Sequence, residues 1–354
     1  MYDIILAMIT SFALTYVAIP SIISVARKKK LFDEPDHRKS HVVSTPSLGG
    51  IGIFAGTLFS IILWTPFNYF GDLQYILCSF IIIFLIGAKD DIDPISPSKK
   101  LLGQLFAAAI LVFKSNVRLT SLYGIFGMGV LPEPVSIILS IFTIIVIINA
   151  FNLIDGINGL SGGIGLLISL TMGSWFFMID RVEIAIVAFS LAGSIIAFLK
   201  YNITPAQIFM GDTGSLLLGL VCSILAIKFI DIHKDLVDHP YAFKSAPSVA
   251  IAVMILPLFD TLRVFILRIL DGKSPFYPDR SHIHHLMIDC GLTHMNATYI
   301  LVLVNAIFIF IAIGLQSVGN LFLLLILIVI ALLLTYILKY FADKKKAATS
   351  INSK

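Results

Sequence analysis

Residues 3–30 read DIILAMITSFALTYVAIPSIISVARKKK. Apolar residues run from Ile4 to Ala26, and Arg27-Lys28-Lys29-Lys30 follow. A cleavable leader carries its positive charge ahead of the apolar run. The order here is reversed, which predicts a membrane-spanning helix with its N-terminus outside and the basic cluster in the cytoplasm.

The pattern repeats along the whole chain. Apolar segments lie near 3–26, 48–65, 73–88, 101–117, 135–151, 162–179, 182–200, 213–230, 247–270, 297–317 and 320–341, and each is expected to be a helix. The composition agrees: 58% of the 354 residues are hydrophobic and 13% charged, with a mean hydropathy of +0.97. A soluble domain carries about a quarter charged residues, so a soluble globular chain and a disordered one are both excluded. The expectation is an all-α polytopic membrane protein with eleven crossings. It comprises a single integral membrane domain over 1–342 and a basic cytoplasmic tail over 343–354.

Charge supports that topology. Eleven crossings leave all but six of the 25 Lys and Arg on or near the cytoplasmic side, the six being Lys114, Arg118, Arg181, Lys228, Lys234 and Lys244. A net charge of +4 distributed this way reads as membrane topology and not as a nucleic-acid surface. Cys78, Cys222 and Cys290 are far apart and suggest neither a disulfide framework nor a zinc site. The inner loops then fall at about 27–47, 89–100, 152–161, 201–212 and 271–296. The outer loop 231–246, with His233, Asp235, Asp238 and His239, reads as a solvated connection.

The inner loops hold the unusual polar sequence. Asp90-Asp91-Ile92-Asp93 ends an apolar helix with three carboxylates. Adjacent helical residues differ by about 100°, so Asp90 and Asp91 cannot face one ligand together, and one is expected to bind a metal while the other orients a lysine or the substrate. The plainer alternative is a solvated turn broken by Pro94. Asn149, Asn152, Asp155 and Asn158 recur at intervals of three, with Gly156, Gly159, Gly162 and Gly163 allowing close approach of a ligand. A capped helix-to-helix turn would explain Asp155 and Gly156 but not Asn149 and Asn152 within an apolar run.

Phe209-Met210-Gly211-Asp212-Thr213-Gly214-Ser215 opens the eighth segment. Asp212 reads either as an N-cap or as a hard oxygen ligand for Mg2+ beside a substrate phosphate at a helix N-terminus. Pro278-Asp279-Arg280-Ser281-His282-Ile283-His284-His285 offers Arg280, His282, His284 and His285 as donors to substrate phosphates, zinc being disfavoured by the absence of accompanying Cys or Glu. The alternative is a solvated amphipathic loop. Asp260 and Arg263 pair as i,i+3 neighbours, and Arg268 snorkels to the cytoplasm; they are expected to support the site, not to carry chemistry. Lys99 and Lys100 reach the same face, and Asn202 is a further expected substrate contact. Carboxylates, a divalent cation and cationic donors are the equipment of phosphoryl transfer.

With Leu31-Phe32-Asp33-Glu34-Pro35, Arg38-Lys39-Ser40-His41 and Leu48-Gly49-Gly50, these motifs run in order along nearly the whole chain. The chain thereby resembles the polyprenyl-phosphate N-acetylhexosamine-1-phosphate transferase family, the WecA- and TagO-like group related to MraY. The resemblance implies transfer of a sugar phosphate from a UDP-N-acetylhexosamine to undecaprenyl phosphate with release of UMP. It implies Mg2+ or Mn2+, held by Asp212 with Asn152, a catalytic set of Asp90, Asp91 and Asp155, and a donor loop at His284-His285. Lys99, Asn149, Asn202, Arg280 and His282 complete the expected substrate contacts. It implies a multi-pass protein of the bacterial inner membrane in contact with membrane lipid, working on the cytoplasmic face, with a homodimer through lipid-facing helices as one expectation. Asn158 and Gln207 depart from the pattern, where many relatives have Asp and a cationic residue. The runners-up are the muramoyl-pentapeptide branch of the superfamily and a secondary transporter of an anionic metabolite.

Overall fold

The computed structural model describes residues 2–31, 45–236, 238–275 and 281–352. Within them the chain forms thirteen α-helices: α1 (Tyr2–Lys29), α2 (Gly49–Trp64), α3 (Leu73–Ile92), α4 (Pro97–Lys114), α5 (Glu133–Ile154), α6 (Leu160–Met178), α7 (Val182–Asn202), α8 (Gly211–Ile232), α9 (Ala246–Val253), α10 (Ile255–Leu270), α11 (Ile283–Asp289), α12 (His294–Gly314) and α13 (Asn320–Asn352). The only strand-like pairing among the described residues is one antiparallel bridge, Ser121 to Val130. Every apolar segment of the sequence is helical, all but one as a single helix.

Seven of the helices are long and apolar enough to cross a bilayer, or up to eight if α9 and α10 make one broken span, and α2 is a shorter apolar helix. Burial sorts the helices. In α8, 83% of the spanning window is buried, in α7 72% and in α6 61%, against 28% in α1 and 17% in α13. α8 is therefore the axis of the bundle, and α1 and α13 present apolar side chains outward, where a hydrocarbon solvent would cover them. α13 continues to Asn352, so the tail expected from residue 343 is helical over most of its length.

Lipid tails are as apolar as Leu, so membrane helices are held together by close packing and interhelical hydrogen bonds. α1, α2 and α7 use small polar residues for this. Ser60 Oγ donates to the Ala7 carbonyl at 2.5 Å, Thr15 Oγ1 to the Gly52 carbonyl at 3.1 Å, and Thr57 Oγ1 to Ser194 Oγ at 3.1 Å.

Segment 247–270 is not the single helix expected. It is broken at Met254, with α9 and α10 bent by 82°. The cause is Pro257, which lacks an N–H and whose ring excludes the carbonyl of Val253 four residues earlier. The freed groups find one partner: Asn305 of α12 donates Nδ2 to the Val253 carbonyl at 2.9 Å, and its Oδ1 accepts the Leu256 amide at 3.1 Å. Irregular backbone at membrane depth is tolerated only where such partners exist. The connection after α8 also departs from expectation. His233 is buried, and its ring stacks on Trp175 with centroids 4.7 Å apart.

Asn305→Leu leaves both backbone groups unpaired in apolar surroundings, at about 1–3 kcal/mol each. A clear fall in the thermal unfolding midpoint in detergent is expected, and an unchanged midpoint would show that the break does not depend on Asn305.

Candidate functional site

Five connections meet at one end of the bundle. The chain before α2 pairs with the chain before α8 through backbone bonds: Phe209 N to the Pro46 carbonyl at 2.8 Å, Gly49 N to Phe209 O at 2.9 Å, and Gly50 N to Met210 O at 2.8 Å. This approach needs bare glycine, since a Cβ on Gly50 would lie 2.1 Å from the Gly214 nitrogen. On α3, a Cβ on Gly87 would lie 2.5 Å from the Thr213 Cα. One turn later that close contact places Asp91 against the start of α8.

The two adjacent carboxylates diverge, as their helical geometry requires. Asp91 Oδ1 accepts the Asp212 amide at 2.7 Å, and Oδ2 accepts the Thr213 amide at 2.9 Å and the Thr213 hydroxyl. The first amides of α8, expected to face a phosphate or its metal, thus point into Asp91. Asp212 is not the N-cap; a carboxylate from another helix fills that place. Asp90 instead accepts the Lys100 ammonium at 2.8 Å and the Ile95 amide at 2.9 Å. Lys100 also bonds Asp212, so one ammonium bridges the two carboxylates. It is Lys100 and not Lys99 that takes this position; Lys99 is exposed.

Asn152 Nδ2 donates to Asp212 Oδ1 at 3.0 Å and to Ser215 Oγ at 3.0 Å. Its amide oxygen has no hydrogen-bond partner among the described residues. The other polar residues of this stretch turn elsewhere. Asn149 Nδ2 bonds Gln104 Oε1 at 2.8 Å, a partner the sequence reading missed, and the Ile145 carbonyl at 2.8 Å. Asn158 Nδ2 bonds Thr204 Oγ1 at 2.9 Å. Asn202, expected to contact substrate, is buried and occupied at both ends of its amide, by the Gly159 N–H at 2.7 Å and the Ile208 carbonyl at 2.9 Å. It locks the turn after α5 to the loop before α8.

Asp155 follows the last turn of α5 and accepts the Ser161 hydroxyl. Burial pushes its carboxyl up to about 7; the charges of Asp212 and Asp91 push the same way, against the Ser161 hydrogen bond. Four carboxyls therefore gather at this end of the bundle, and two of them, Asp90 and Asp212, share one ammonium. The side chains of Asp90, Lys100 and Asp212 keep 15%, 21% and 24% of their surface exposed, enough to meet a ligand.

The His loop is anchored by the broken helix. Asp260 of α10 is buried; its Oδ2 accepts His282 Nδ1–H at 2.8 Å, and its Oδ1 accepts the Ile283 amide at 3.0 Å and the Arg263 guanidinium at 3.3 Å. Arg263 also donates to the Ser281 carbonyl. His284, 2% exposed, lies against Gly156, where a Cβ would come within 2.3 Å of its Nε2. Neither of its ring nitrogens has a hydrogen-bond partner among the described residues. His285 packs at 4.2 Å from the His284 ring. Arg280, and the motif residues between Phe32 and His41, lie outside the described residues.

Among the described residues no three His, Cys, Asp or Glu side chains form a ready-made metal cage. Mg2+ does not need one, because one or two carboxylates complete its octahedron with water and substrate phosphates. Two carboxylates that already share a cation, beside an unbonded amide oxygen, suit Mg2+ as a donor set; zinc would call for His or Cys.

Burial pushes the His284 imidazole down to about 3. In the unfolded chain it titrates near its ordinary value of about 6.5. Between these values the unfolded chain holds a proton that the folded one lacks, so stability falls as pH drops through that window and levels off below about 3. Thermal unfolding in detergent should show this acid slope, and His284→Gln should flatten it. An identical slope in both proteins would contradict the burial argument.

A family model described as Glycosyl transferase family 4 matches residues 73–230. A probable undecaprenyl-phosphate N-acetylglucosaminyl 1-phosphate transferase of Bacillus subtilis (strain 168) is 32% identical over 93% of this chain and 90% of its own length. A decaprenyl-phosphate N-acetylglucosaminephosphotransferase of Mycobacterium leprae (strain TN) is 30% identical over 83% of this chain and 79% of its own. An undecaprenyl-phosphate alpha-N-acetylglucosaminyl 1-phosphate transferase of Escherichia coli O157:H7 is 29% identical over 80% and 76%. With polar connections that pair motif to motif at one end of an apolar bundle, and with similarity over nearly its full length, the chain belongs to glycosyl transferase family 4.

Proposed function

We propose that this protein transfers N-acetylglucosamine-1-phosphate from UDP-N-acetylglucosamine to undecaprenyl phosphate, giving a polyprenyl-diphosphate sugar and UMP. The observation that carries the reading is the Asp90–Lys100–Asp212 bridge, drawn from three helices and set at the end of an apolar bundle. The relatives named above bear polyprenyl-phosphate N-acetylglucosaminyl names, which favours that donor over a muramoyl-pentapeptide one. A transporter would place its ionisable groups near mid-membrane; here they collect at one end. The topology proposed with this reading is eleven crossings, N-terminus outside, with the site on the cytoplasmic face of the bacterial inner membrane.

In the proposed reaction an oxygen of the lipid phosphate attacks the β-phosphorus of the donor. A new P–O bond forms, the bond from that phosphorus to the bridging oxygen breaks, and UMP leaves with the electron pair. Asp212, Asn152 and Asp90 would hold Mg2+, which when bound neutralises charge on the donor diphosphate. Lys100 keeps the two carboxylates together and offers an ammonium to a phosphate oxygen. Asp91 orients Asp212 through the α8 amides. A phosphate monoester has its second pKa near about 6 and is already mostly a dianion at neutral pH, so the acceptor needs little help from a general base. In this reading Asp155 would take up any residual proton. His284, which lies against Gly156, and His285, packed on its ring, would meet the donor in this reading.

UMP release by the purified protein from UDP-N-acetylglucosamine and undecaprenyl phosphate should stop with a chelator and return with Mg2+. Asp212→Asn and Lys100→Met should each lower the rate about a hundredfold or more, the scale for losing one electrostatic contact to a transition state. Full Mg2+-dependent transfer by Asp212→Ala would remove the metal assignment, and a phosphorylated Asp trapped with donor alone would replace the direct route with a covalent one.

A further inference from the structure

The opposite end of the bundle holds a second polar cavity. α8 spans Gly211–Ile232, so at roughly 1.5 Å per residue Asp231 lies about 28 Å along its axis from Asp212. There a cavity of about 320 Å³ opens between α3, α7 and α8. Its deeper wall is apolar, made by Leu73, Ile76, Ile184 and Ile232, and charges of both signs surround it.

Two of those charges are held by the protein itself. Lys228 Nζ donates to the backbone carbonyls of Ser115 at 3.0 Å and Asn116 at 3.3 Å, and Asp231 accepts Thr120 Oγ1 and Lys234 Nζ. The side chains of Asp72, Arg181 and Glu183 make no hydrogen bond or ion pair among the described residues, although all three lie within electrostatic reach of Lys228. A simple anion entering here would meet three carboxylates, and a simple cation would meet Arg181 and Lys228. A ligand carrying both signs satisfies both sets.

The depth of the cavity is marked independently. Trp64 ends α2, and Phe67, Tyr69 and Phe70 follow in the connection to α3, where Tyr69 lines the cavity; Phe67 is 95% and Tyr69 42% exposed. Tyr and Trp side chains are enriched at lipid headgroup level, which fits Tyr69 and Trp64 here. We propose that this cavity binds the headgroup of a zwitterionic phospholipid of the phosphoethanolamine type. Arg181 and Lys228 attract the phosphate, Asp72 and Glu183 attract the ammonium, and the apolar wall meets the start of the acyl chains. The site is distinct from the transfer site and does not rest on its assignment.

The test uses the full chain in detergent. Phosphatidylethanolamine, phosphatidylglycerol and soluble phosphoethanolamine are added separately, with thermal unfolding and native mass spectrometry as readouts. Phosphatidylethanolamine should raise the unfolding midpoint more than phosphatidylglycerol and persist as a bound adduct. Arg181→Gln should lower that adduct about tenfold, the worth of one charge-assisted hydrogen bond. Glu183→Gln, which removes a negative charge, should move the preference toward phosphatidylglycerol. UMP release measured in detergent should be unchanged in both variants, which reports that they are folded. Equal stabilisation by the two lipids, or a preference unmoved by either substitution, would overturn the proposal. Full reproduction of the effect by soluble phosphoethanolamine would overturn the lipid assignment in favour of a free metabolite.

Discussion

The carboxylate of Asp91 closing the N-terminus of α8 is the contact on which the site's geometry depends. α8 is the most buried helix of the bundle, and its first amides would be orphaned without a partner. A negative charge there is also favoured by the helix dipole. The same contact sets the direction of the chemistry. With Asp91 holding the amides of Asp212 and Thr213, the Asp212 side chain turns toward Lys100 and Asn152. Asp90, the preceding residue of α3, turns toward the same lysine. Two adjacent carboxylates thus do different work because a helix cannot aim both at one point.

A second constraint shapes the other wall. The Pro257 break turns α10 by 82° away from α9, and α10 carries Asp260. From that bend Asp260 reaches the first turn of α11 and binds His282 and the Ile283 amide. α13 secures the far end of the same short helix, where Lys345 Nζ donates to the Cys290 carbonyl at 3.0 Å. The Gly156 turn then receives His284 because no Cβ blocks it. A proline in one helix and an asparagine in another therefore determine where a histidine lies in a third.

Much of this was legible in the sequence, for identifiable reasons. Apolar runs of membrane length are set by solvent and need no tertiary information, so every expected segment is helical, 247–270 as two helices. The five polar connections were legible because their Asp, Asn and Gly residues defy the apolar pattern around them. The pairings were not legible, because they depend on distance across helices. Lys99 and Lys100 are indistinguishable as letters, and only the start of α4 at Pro97 decides that Lys100 faces Asp90. Asn149 and Asn202 read as ligand contacts because buried amides in membrane helices often are, yet each is used within the protein. Pro257 was visible and its consequence was not, since a proline in a membrane helix bends it only where partners such as Asn305 accept the freed backbone groups.

The electrostatics of the site follow from the same accounting of partners. Asp91 is compensated by amides, Asp90 and Asp212 share one ammonium, and burial, reinforced by the charges of Asp212 and Asp91, pushes the Asp155 carboxyl up to about 7. The site therefore carries more negative than positive charge before any substrate arrives. The proposed donor and acceptor are both anionic, so their approach adds repulsion of several kcal/mol at an effective dielectric of about 20. A single lysine cannot offset both substrates and two carboxylates. A divalent cation would reduce that excess, and this imbalance, rather than any preformed cage, is the physical argument for the Mg2+ of the proposed reaction.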